Sequence, residues 1–428
     1  MESSAASSVR FSRRQMLKVG VLGAGMSLGS YLRLSAAKQD AGRSAILVFL
    51  GGGPSHQDTF DLKPAAPEEY RGQFSPIATS AAGVEICEHM GKLARRADKY
   101  AVIRGITHNL AAHELGTRYL MTGNRPTPVV NYPMYGCVAS REFPAAEDLP
   151  SFVSIDRPVE GPGYLGPEYG PLSTGEKPRH GQPFRVRGIT LGDGLTVEKY
   201  RSRRDLLTDI DTAFDGFEDL DDSVRGLDRF SEQAYRIISS RRSRDAFDLS
   251  REPDREVDRF GRHDFGQSMM LTTRLIEAGV RFVTVLLDGW DTHADNFNKL
   301  GHELLPRFDQ SLSALLDRLD EQGRLESTSI LVTGEFGRTP KVNNNVGRDH
   351  WARAMFALMA GGAVRGSQTI GATDEKAQGP AGDGFTPDDL AASFFHNIGI
   401  DPKTEYDSNI GRPITLIRDG EPIRQLFA

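Results

Sequence analysis

The chain has little cysteine and no excess of positive charge. Its 428 residues include only Cys87 and Cys137, which excludes a small scaffold held together by disulfides. The sequence leaves open whether these two thiols pair in an oxidising compartment or stay free and buried. The formal net charge of -6 gives no basic surface of the kind that binds nucleic acid.

Long hydrophobic runs are also scarce. The apolar stretch at residues 19–32 is too short and too rich in Gly and Ser to predict a membrane-spanning helix. It follows residues 12–18 (Ser-Arg-Arg-Gln-Met-Leu-Lys) and precedes a small-residue cleavage site at residues 35–37, an order typical of a twin-arginine export signal. We therefore expect residues 1–37 to be a leader. The mature protein is then periplasmic or at the cell surface, without an integral membrane span.

Strand and helix patterns alternate along the remainder. Apolar runs predict strands at residues 44–50, 100–106, 280–287 and 329–333, and helical spacing predicts helices at residues 262–278 and 304–322. A helix followed by a strand, twice in succession, favours a parallel sheet with helices on both faces. We predict a three-layer α/β/α sandwich with a mostly parallel central sheet, formed by residues 38–428.

Residues 150–260 depart from this alternation and are predicted to be an insertion. Residues 150–195 are rich in Gly and Pro, which favours long loops over one edge of the sheet. Residues 196–260 are dense in Arg and Asp with periodic apolar positions, which favours a pair of solvated helices.

Side chains that can bind metals or transfer protons follow four of the predicted strands. They are His56, Asp58 and Asp61 after the first strand, His108 and His113 after the second, Asp288, Asp291 and His293 after the third, and Glu335, Arg338, Asp349 and His350 after the fourth. In a parallel sheet such loops open at the same edge. Imidazoles mixed with carboxylates suit zinc, manganese or iron better than calcium. The sequence therefore predicts a site for one or two divalent ions.

Some of these residues have ordinary structural explanations. Asp58 and Asp288 can cap turns, His56 can be a polar loop residue, and Glu335 can simply pair with Arg338. The pair of residues 291 and 293 is harder to explain in this way, because neighbouring loop positions rarely need both a carboxylate and an imidazole.

Four ordered motifs resemble those of the DUF1501 proteins. They are residues 52–61 (Gly-Gly-Pro-Ser-His-Gln-Asp-Thr-Phe-Asp), 289–293 (Gly-Trp-Asp-Thr-His), 334–340 (Gly-Glu-Phe-Gly-Arg-Thr-Pro) and 347–351 (Gly-Arg-Asp-His-Trp). The resemblance covers nearly the whole mature chain. It implies an exported protein with the alkaline-phosphatase-like fold that sulfatases and phosphatases share.

The resemblance also implies an altered site. The segment from His113 to Gly123 is similar to the one that carries the nucleophile in sulfatases, but His113 stands at the nucleophile position. Gly51 and Gly52 stand where that superfamily has a pair of metal-binding aspartates. Asp288 or Asp291, with His293 and His350, is similar to the other half of the metal site.

Two functional hypotheses follow from the residues and the resemblance. The first is a metal-dependent hydrolase, phosphatase- or sulfatase-like, that acts on a small-molecule or polysaccharide ester through activated water. The second is a non-catalytic member that keeps a metal or polar site and binds a glycan or a protein.

The first hypothesis assigns roles to ten residues. The metal ligands are Asp291, His293 and His350, with Asp288, Asp58, His56 and Asp349 as further candidates, while Glu335 is a second ligand or general base, Arg338 pairs with the substrate anion and His113 occupies the nucleophile position.

Overall fold

The structure is a computed structural model, and it describes residues 21–22, 26–27, 43–186, 189, 235–408 and 411–428. The chain divides into two units, Met1–Arg43 and Ser44–Ala428. In the first unit, Val21–Leu22 pairs antiparallel with Met26–Ser27. Most of the predicted leader, and the predicted solvated helices as far as residue 234, lie outside the described residues.

An eight-stranded sheet forms the centre of the second unit. Its strands are β1 (Ser44–Gly51), β2 (Tyr100–Ile106), β3 (Phe152–Ser154), β4 (Leu172–Ser173), β5 (Phe282–Asp288), β6 (Thr328–Thr333), β7 (Met355–Ala360) and β8 (Gln368–Ile370). The spatial order is β8-β2-β7-β6-β1-β5-β3-β4. Strand β7 runs antiparallel to both of its neighbours, and the other neighbouring pairs are parallel. The carboxyl ends of β1, β2, β5 and β6 therefore lie at one edge.

Helices cover both faces of this sheet. The helices of seven or more residues that lie wholly within the described residues are α1 (His113–Thr122), α2 (Tyr135–Glu142), α3 (Arg241–Phe247), α4 (Asp254–Phe260), α5 (Asp264–Ala278), α6 (Leu305–Glu321) and α7 (Pro387–Ile398). Because side chains alternate along a strand, Ile46 and Val48 of β1 pack into the core beneath α3–α6. Ala45 and Leu47 pack into the core beneath α1, α2 and α7. These two cores confirm the predicted three-layer α/β/α arrangement.

Most of the predicted elements agree with the structure to within two residues. Strand β2 has the predicted bounds, and β1 and β6 each gain one residue. Helix α5 ends before Gly279, whose φ of 106° allows the left-handed conformation that closes a helix. Helix α6 follows a π-helical turn at Leu300–Leu304. Long, strongly periodic segments are thus read correctly from the pattern.

The central sheet contains strands that were not predicted from the sequence. The segment 150–195, expected to form loops, contributes the short strands β3 and β4, which extend the sheet beyond β5. Three and two residues are too few to give a recognisable pattern. Strand β7 was not predicted, because its sequence Met-Phe-Ala-Leu-Met-Ala has no β-branched residue and is buried throughout.

The two cysteines are free thiols in the structure. Cys87 and Cys137 are both buried, and burial raises the pKa of each to about 12. Both therefore stay protonated and unreactive at neutral pH. Within the described part of the chain, no helix is long and apolar enough to cross a membrane.

Candidate functional site

Three loops bring imidazoles to the carboxylate of Asp291 at the carboxyl edge of the sheet. Asp291 and His293 follow β5, and His113 is the first residue of α1, after β2. His350 belongs to a short hairpin that follows β6, where it lies opposite Arg338. The parallel strands thus place residues that are more than 230 positions apart in one cluster.

The nitrogen and oxygen atoms of this cluster are close enough to share an ion. His350 Nε2 lies 3.1 Å from Asp291 Oδ1, and His113 Nε2 lies 3.4 Å from Asp291 Oδ2. Each of these three residues offers one possible metal-ligand atom, and these atoms all lie within 4.8 Å of one another. His293 Nε2 adjoins the group, at 3.0 Å from Asp291 Oδ1 and 3.0 Å from His350 Nε2. The side chain of Asp291 is 46% exposed, so the cluster opens to solvent.

In each of the three imidazoles, Nδ1 is the nitrogen farther from Asp291, and it contacts an oxygen atom of another residue. The Nδ1 partners are Glu335 Oε1 for His113 at 2.6 Å, Asp349 Oδ1 for His293 at 2.6 Å, and the carbonyl oxygen of Ala111 for His350 at 2.9 Å. A carbonyl oxygen only accepts, so this network assigns the hydrogen of His350 to Nδ1. The Nε2 atom of the ring faces Asp291 Oδ1 at 3.1 Å. Metal-binding histidines are commonly oriented in this way.

The electrostatics of the cluster keep two carboxylates charged. Burial raises the pKa of Asp291, but hydrogen bonds from Arg338 and His350 outweigh it and hold this pKa well below its usual range. The hydrogen bond from His293 lowers the pKa of Asp349. The hydrogen bond to Glu335 raises the pKa of His113, against the effect of burial. The negative charge that attracts a cation is therefore present at neutral pH.

Glu335 lies behind His113 and does not face solvent. Its side chain is 2% exposed, and the backbone N–H of Gly52 donates to both of its oxygens, at 3.0 and 3.3 Å. Gly52 has a φ of 115°, and a side chain there would overlap the backbone of Asp291. This role of Gly52 was missed by the sequence analysis, although three successive glycines after a strand signal a close backbone approach.

The structure corrects the predicted role of Arg338. Its side chain is fully buried, so it does not meet a substrate anion at the surface. Its partner in the cluster is Asp291, at 2.5 Å, and not Glu335. The guanidinium therefore belongs to the interior of the site.

Asp58 and His56 also take structural positions. Asp58 forms a fully buried ion pair with Arg348, at 2.7 and 2.9 Å, and it accepts a further hydrogen bond from Asn296. His56 is completely buried with Nε2 at 2.9 Å from the carbonyl oxygen of Ala377, and burial lowers its pKa. Neither residue belongs to the group around Asp291.

The remaining candidates lie at the margin of the cluster. Asp288 stands between the cations of Arg157, at 3.3 Å, and Lys177, at 3.2 Å, and is outside the group around Asp291. Asp349 orients His293 from the solvent side. Asp61 pairs with Lys63 at 3.0 Å.

Asn343 is a further residue that the sequence analysis missed. Its amide nitrogen donates to the carbonyl oxygen of His293, at 3.0 Å, and lies 3.4 Å from both carboxylate oxygens of Asp349. Its side-chain oxygen accepts from the backbone of Gly347. Asn343 thus fixes the loop that carries Asp349, and no motif in the sequence marks it.

Comparison with known proteins places the chain in a family. A family model described as "Protein of unknown function (DUF1501)" matches residues 42–427. The chain belongs to the DUF1501 family. No curated protein matches this DUF1501 chain.

Several solved structures are distantly similar to this DUF1501 protein. A sulfatase from Pseudoalteromonas sp. is 11% identical, with coverage of 94% of this chain and 75% of the other and a TM-score of 0.37. The lipoteichoic acid synthase from Listeria monocytogenes is 8% identical, with coverage of 89% and 76% and a TM-score of 0.38. A phosphonate monoester hydrolase from Silicibacter pomeroyi is 11% identical, with coverage of 90% and 76% and a TM-score of 0.33. At such low scores no residue role follows from them.

The buried ion pair yields a stability prediction. Replacing Asp58 by Asn leaves the guanidinium of Arg348 buried without its counter-charge, which should lower the free energy of unfolding by about 3–5 kcal/mol. The matched control is Glu303→Gln, which removes an exposed pair with Arg307 and should cost less than about 1 kcal/mol. Urea unfolding measures both. Equal losses in the two variants would contradict the structural role of Asp58.

His108 yields a pH prediction. It is buried, donates from Nε2 to the carbonyl oxygen of Glu335 at 3.0 Å and accepts from the N–H of Leu110. Burial lowers its pKa to about 4, so the folded state keeps it neutral while the unfolded state protonates it below about pH 6.5. Stability from this group is therefore complete above pH 6.5 and is lost as the pH falls towards 4.

The measurement is the free energy of unfolding of the wild type and of His108→Gln at several pH values. Gln cannot take up a proton, so between pH 6.5 and 4 the wild type should lose roughly 2–3 kcal/mol more than the variant. Parallel pH curves for the two proteins would show that His108 does not titrate in this way.

Proposed function

We propose that this DUF1501 protein is a metal-dependent hydrolase of phosphate or sulfate esters. One divalent ion, zinc, manganese or iron, is held by His113, Asp291 and His350. One observation carries the proposal: three imidazoles, each fixed at Nδ1 by an outer acceptor, direct their Nε2 atoms to the same carboxylate. Together with the family resemblance of the motifs, this arrangement favours ester hydrolysis.

The residues fit such an ion in distance and in chemistry. Neighbouring ligands of a tetrahedral ion with bonds of about 2.0–2.1 Å are about 3.3 Å apart. The separations are 3.1 Å from Asp291 Oδ1 to His350 Nε2 and 3.4 Å from Asp291 Oδ2 to His113 Nε2. Imidazole nitrogen with carboxylate oxygen suits zinc and the neighbouring transition metals. When bound, such an ion polarises an ester oxygen and lowers the pKa of adjacent water.

His293 is assigned to proton transfer in this proposal. It is not one of the three residues whose donor atoms group within 4.8 Å, although it was expected to be a ligand. Its ring is 45% exposed, and Asp349 holds its Nδ1 at 2.6 Å. A carboxylate that orients an imidazole at the mouth of a site is suited to a general acid or base. His293 then exchanges its proton with the leaving oxygen of the ester.

The attacking group in this proposal is water. Among the contacts of the described residues, none joins a Ser, Thr or Cys side chain to His113, Asp291 or His350. No side-chain oxygen or sulfur in these contacts is therefore placed to form a covalent intermediate, which favours direct attack by water on the ester. Glu335 holds His113 in place from below.

The compartment and the size of the substrate belong to the proposal as well. The twin-arginine pattern at residues 12–18 favours export, so the substrate is an ester outside the cytoplasm. The open position of Asp291 and His293 suits a polysaccharide ester as well as a small molecule.

The second candidate function is binding without catalysis. The absence of a side-chain nucleophile from the described contacts favours it, and so does the open surface of the cluster. A non-catalytic member would keep the ion and use the exposed rim for a glycan or a protein. The two functions differ in turnover and not in metal content.

Metal content and turnover are the test. The purified protein, loaded with zinc or manganese, should hold an ion and hydrolyse 4-nitrophenyl phosphate or sulfate. His350→Ala should lower metal affinity by at least about 100-fold, which exceeds the effect typical of outer-shell changes, and should abolish turnover. His302→Ala, at an exposed position on the α6 side, should change neither quantity.

His293→Ala separates the assigned roles. It should keep the ion while lowering kcat and removing a limb of the pH profile. Absence of any ion, with no thermal stabilisation by added metal, would contradict the metal site. A bound ion with no turnover on any phosphate or sulfate ester would contradict catalysis and support the binding function.

A further inference from the structure

We infer that the guanidinium of Arg338 is a permanent cation of the site and limits it to one divalent ion. The inference rests on the proposed metal function, which it deepens by fixing the stoichiometry. It concerns a residue whose predicted contact with substrate the structure does not support.

Arg338 occupies a cradle made of oxygen atoms. Its guanidinium donates to the carbonyl oxygens of Gly53 at 2.8 Å and Arg348 at 3.0 Å, to the carbonyl oxygen of Gly52, and to Asp291 Oδ1 at 2.5 Å. Carbonyl and carboxylate oxygens are also the ligands that hard cations prefer. Arginine stays charged at every pH that proteins tolerate, so this position always carries its positive charge.

The backbone around the cradle is fixed in this arrangement. Gly52 and Gly53 have φ values of 115° and 77°, which are accessible to glycine and direct the two carbonyl oxygens inward. A Cβ at Gly53 would lie 2.6 Å from the ring of Phe336. The third carbonyl belongs to Arg348, whose side chain is locked by the buried pair with Asp58. The backbone carbonyl groups of the loop after β1 thus accept hydrogen bonds from the guanidinium cation of Arg338.

The two oxygens of Asp291 have different partners as a result. Oδ1 receives Arg338 and also lies 3.1 Å from Nε2 of His350 and 3.0 Å from Nε2 of His293. Oδ2 faces Nε2 of His113 at 3.4 Å. A second divalent ion on the Oδ1 side would lie against a buried guanidinium, where repulsion is poorly screened. The Oδ2 side, which faces His113, is the position left for an ion.

The local charge agrees with a single ion. The cluster contains three carboxylates (Asp291, Glu335 and Asp349) and one guanidinium. Imidazoles that bind a metal are neutral, so three carboxylates and one guanidinium leave two negative charges, which one divalent ion neutralises. A second ion would leave an uncompensated excess of positive charge.

The experiment titrates the full chain with Mn²⁺ and Zn²⁺, and follows stoichiometry by elemental analysis and the Mn²⁺ environment by electron paramagnetic resonance. The wild type should bind one ion per chain, with the spectrum of isolated Mn²⁺. Arg338→Lys keeps the charge and should also bind one. Arg338→Gln should bind the first ion at least about tenfold more tightly, because a neighbouring cation is gone, or should bind a second. Arg353→Gln, at an exposed position, is the matched control and should behave as the wild type.

The outcomes separate this inference from the proposed function. Two ions per wild-type chain, or a spin-coupled Mn²⁺ pair, would overturn the role of Arg338 and leave a metal-dependent hydrolase in place. No ion in the wild type would overturn both. An Arg338→Gln variant that folds and binds one ion with unchanged affinity would also overturn the inference. If that variant fails to fold, the wild-type stoichiometry decides.

Discussion

The carboxylate of Asp291 is the group on which the site depends. One side chain receives contacts from three imidazoles and a guanidinium that arrive from the loops after three different strands. The parallel sheet brings those loops together, and the glycine at position 52 lets the fourth loop pass beneath Asp291 without a side chain. Its charge is maintained by hydrogen bonds from Arg338 and His350, which outweigh the effect of burial. The fold and the chemistry of the site therefore meet at this carboxylate.

Charged groups are arranged in layers from the interior to the surface. The innermost is the buried pair of Asp58 and Arg348. The carbonyl oxygen of Arg348 then receives Arg338, and Arg338 in turn reaches Asp291. The outermost pair, His293 with Asp349, is about half exposed. Because each layer positions the next, the stability of the buried ion pair and the geometry of the candidate metal site are linked.

The predictable part of the site was its location, because location depends on local patterns. Apolar runs predict the strands, and imidazoles and carboxylates directly after them must meet at one edge. Asp291, His293 and His350 lie in one place, as these patterns predict. His113 joins them as the first residue of α1, a position that the spacing of the histidines does not show. The antiparallel strand β7 escaped prediction, since a short buried run carries no periodicity to distinguish it from a helix.

The roles of individual residues were less predictable, because burial and pairing are long-range properties. Asp58 and Arg348 are 290 positions apart in the chain, and the sequence gives no sign that they neutralise each other. Arginine is a residue type that commonly binds anions, but the side chain of Arg338 is fully buried. Sequence motifs do not show which backbone groups form contacts in the site. Examples are the N–H of Gly52, which donates to Glu335, and the carbonyl oxygen of Ala111, which accepts from His350.

The most direct test of the account is an anomalous difference map from crystals of the full chain grown with zinc and measured at the zinc edge. We expect one peak at about 2.0–2.2 Å from Nε2 of His113, Nε2 of His350 and a carboxylate oxygen of Asp291. A map without a peak at saturating zinc would contradict it. A peak that lies only beside other residues, or two peaks within the cluster, would contradict it as well.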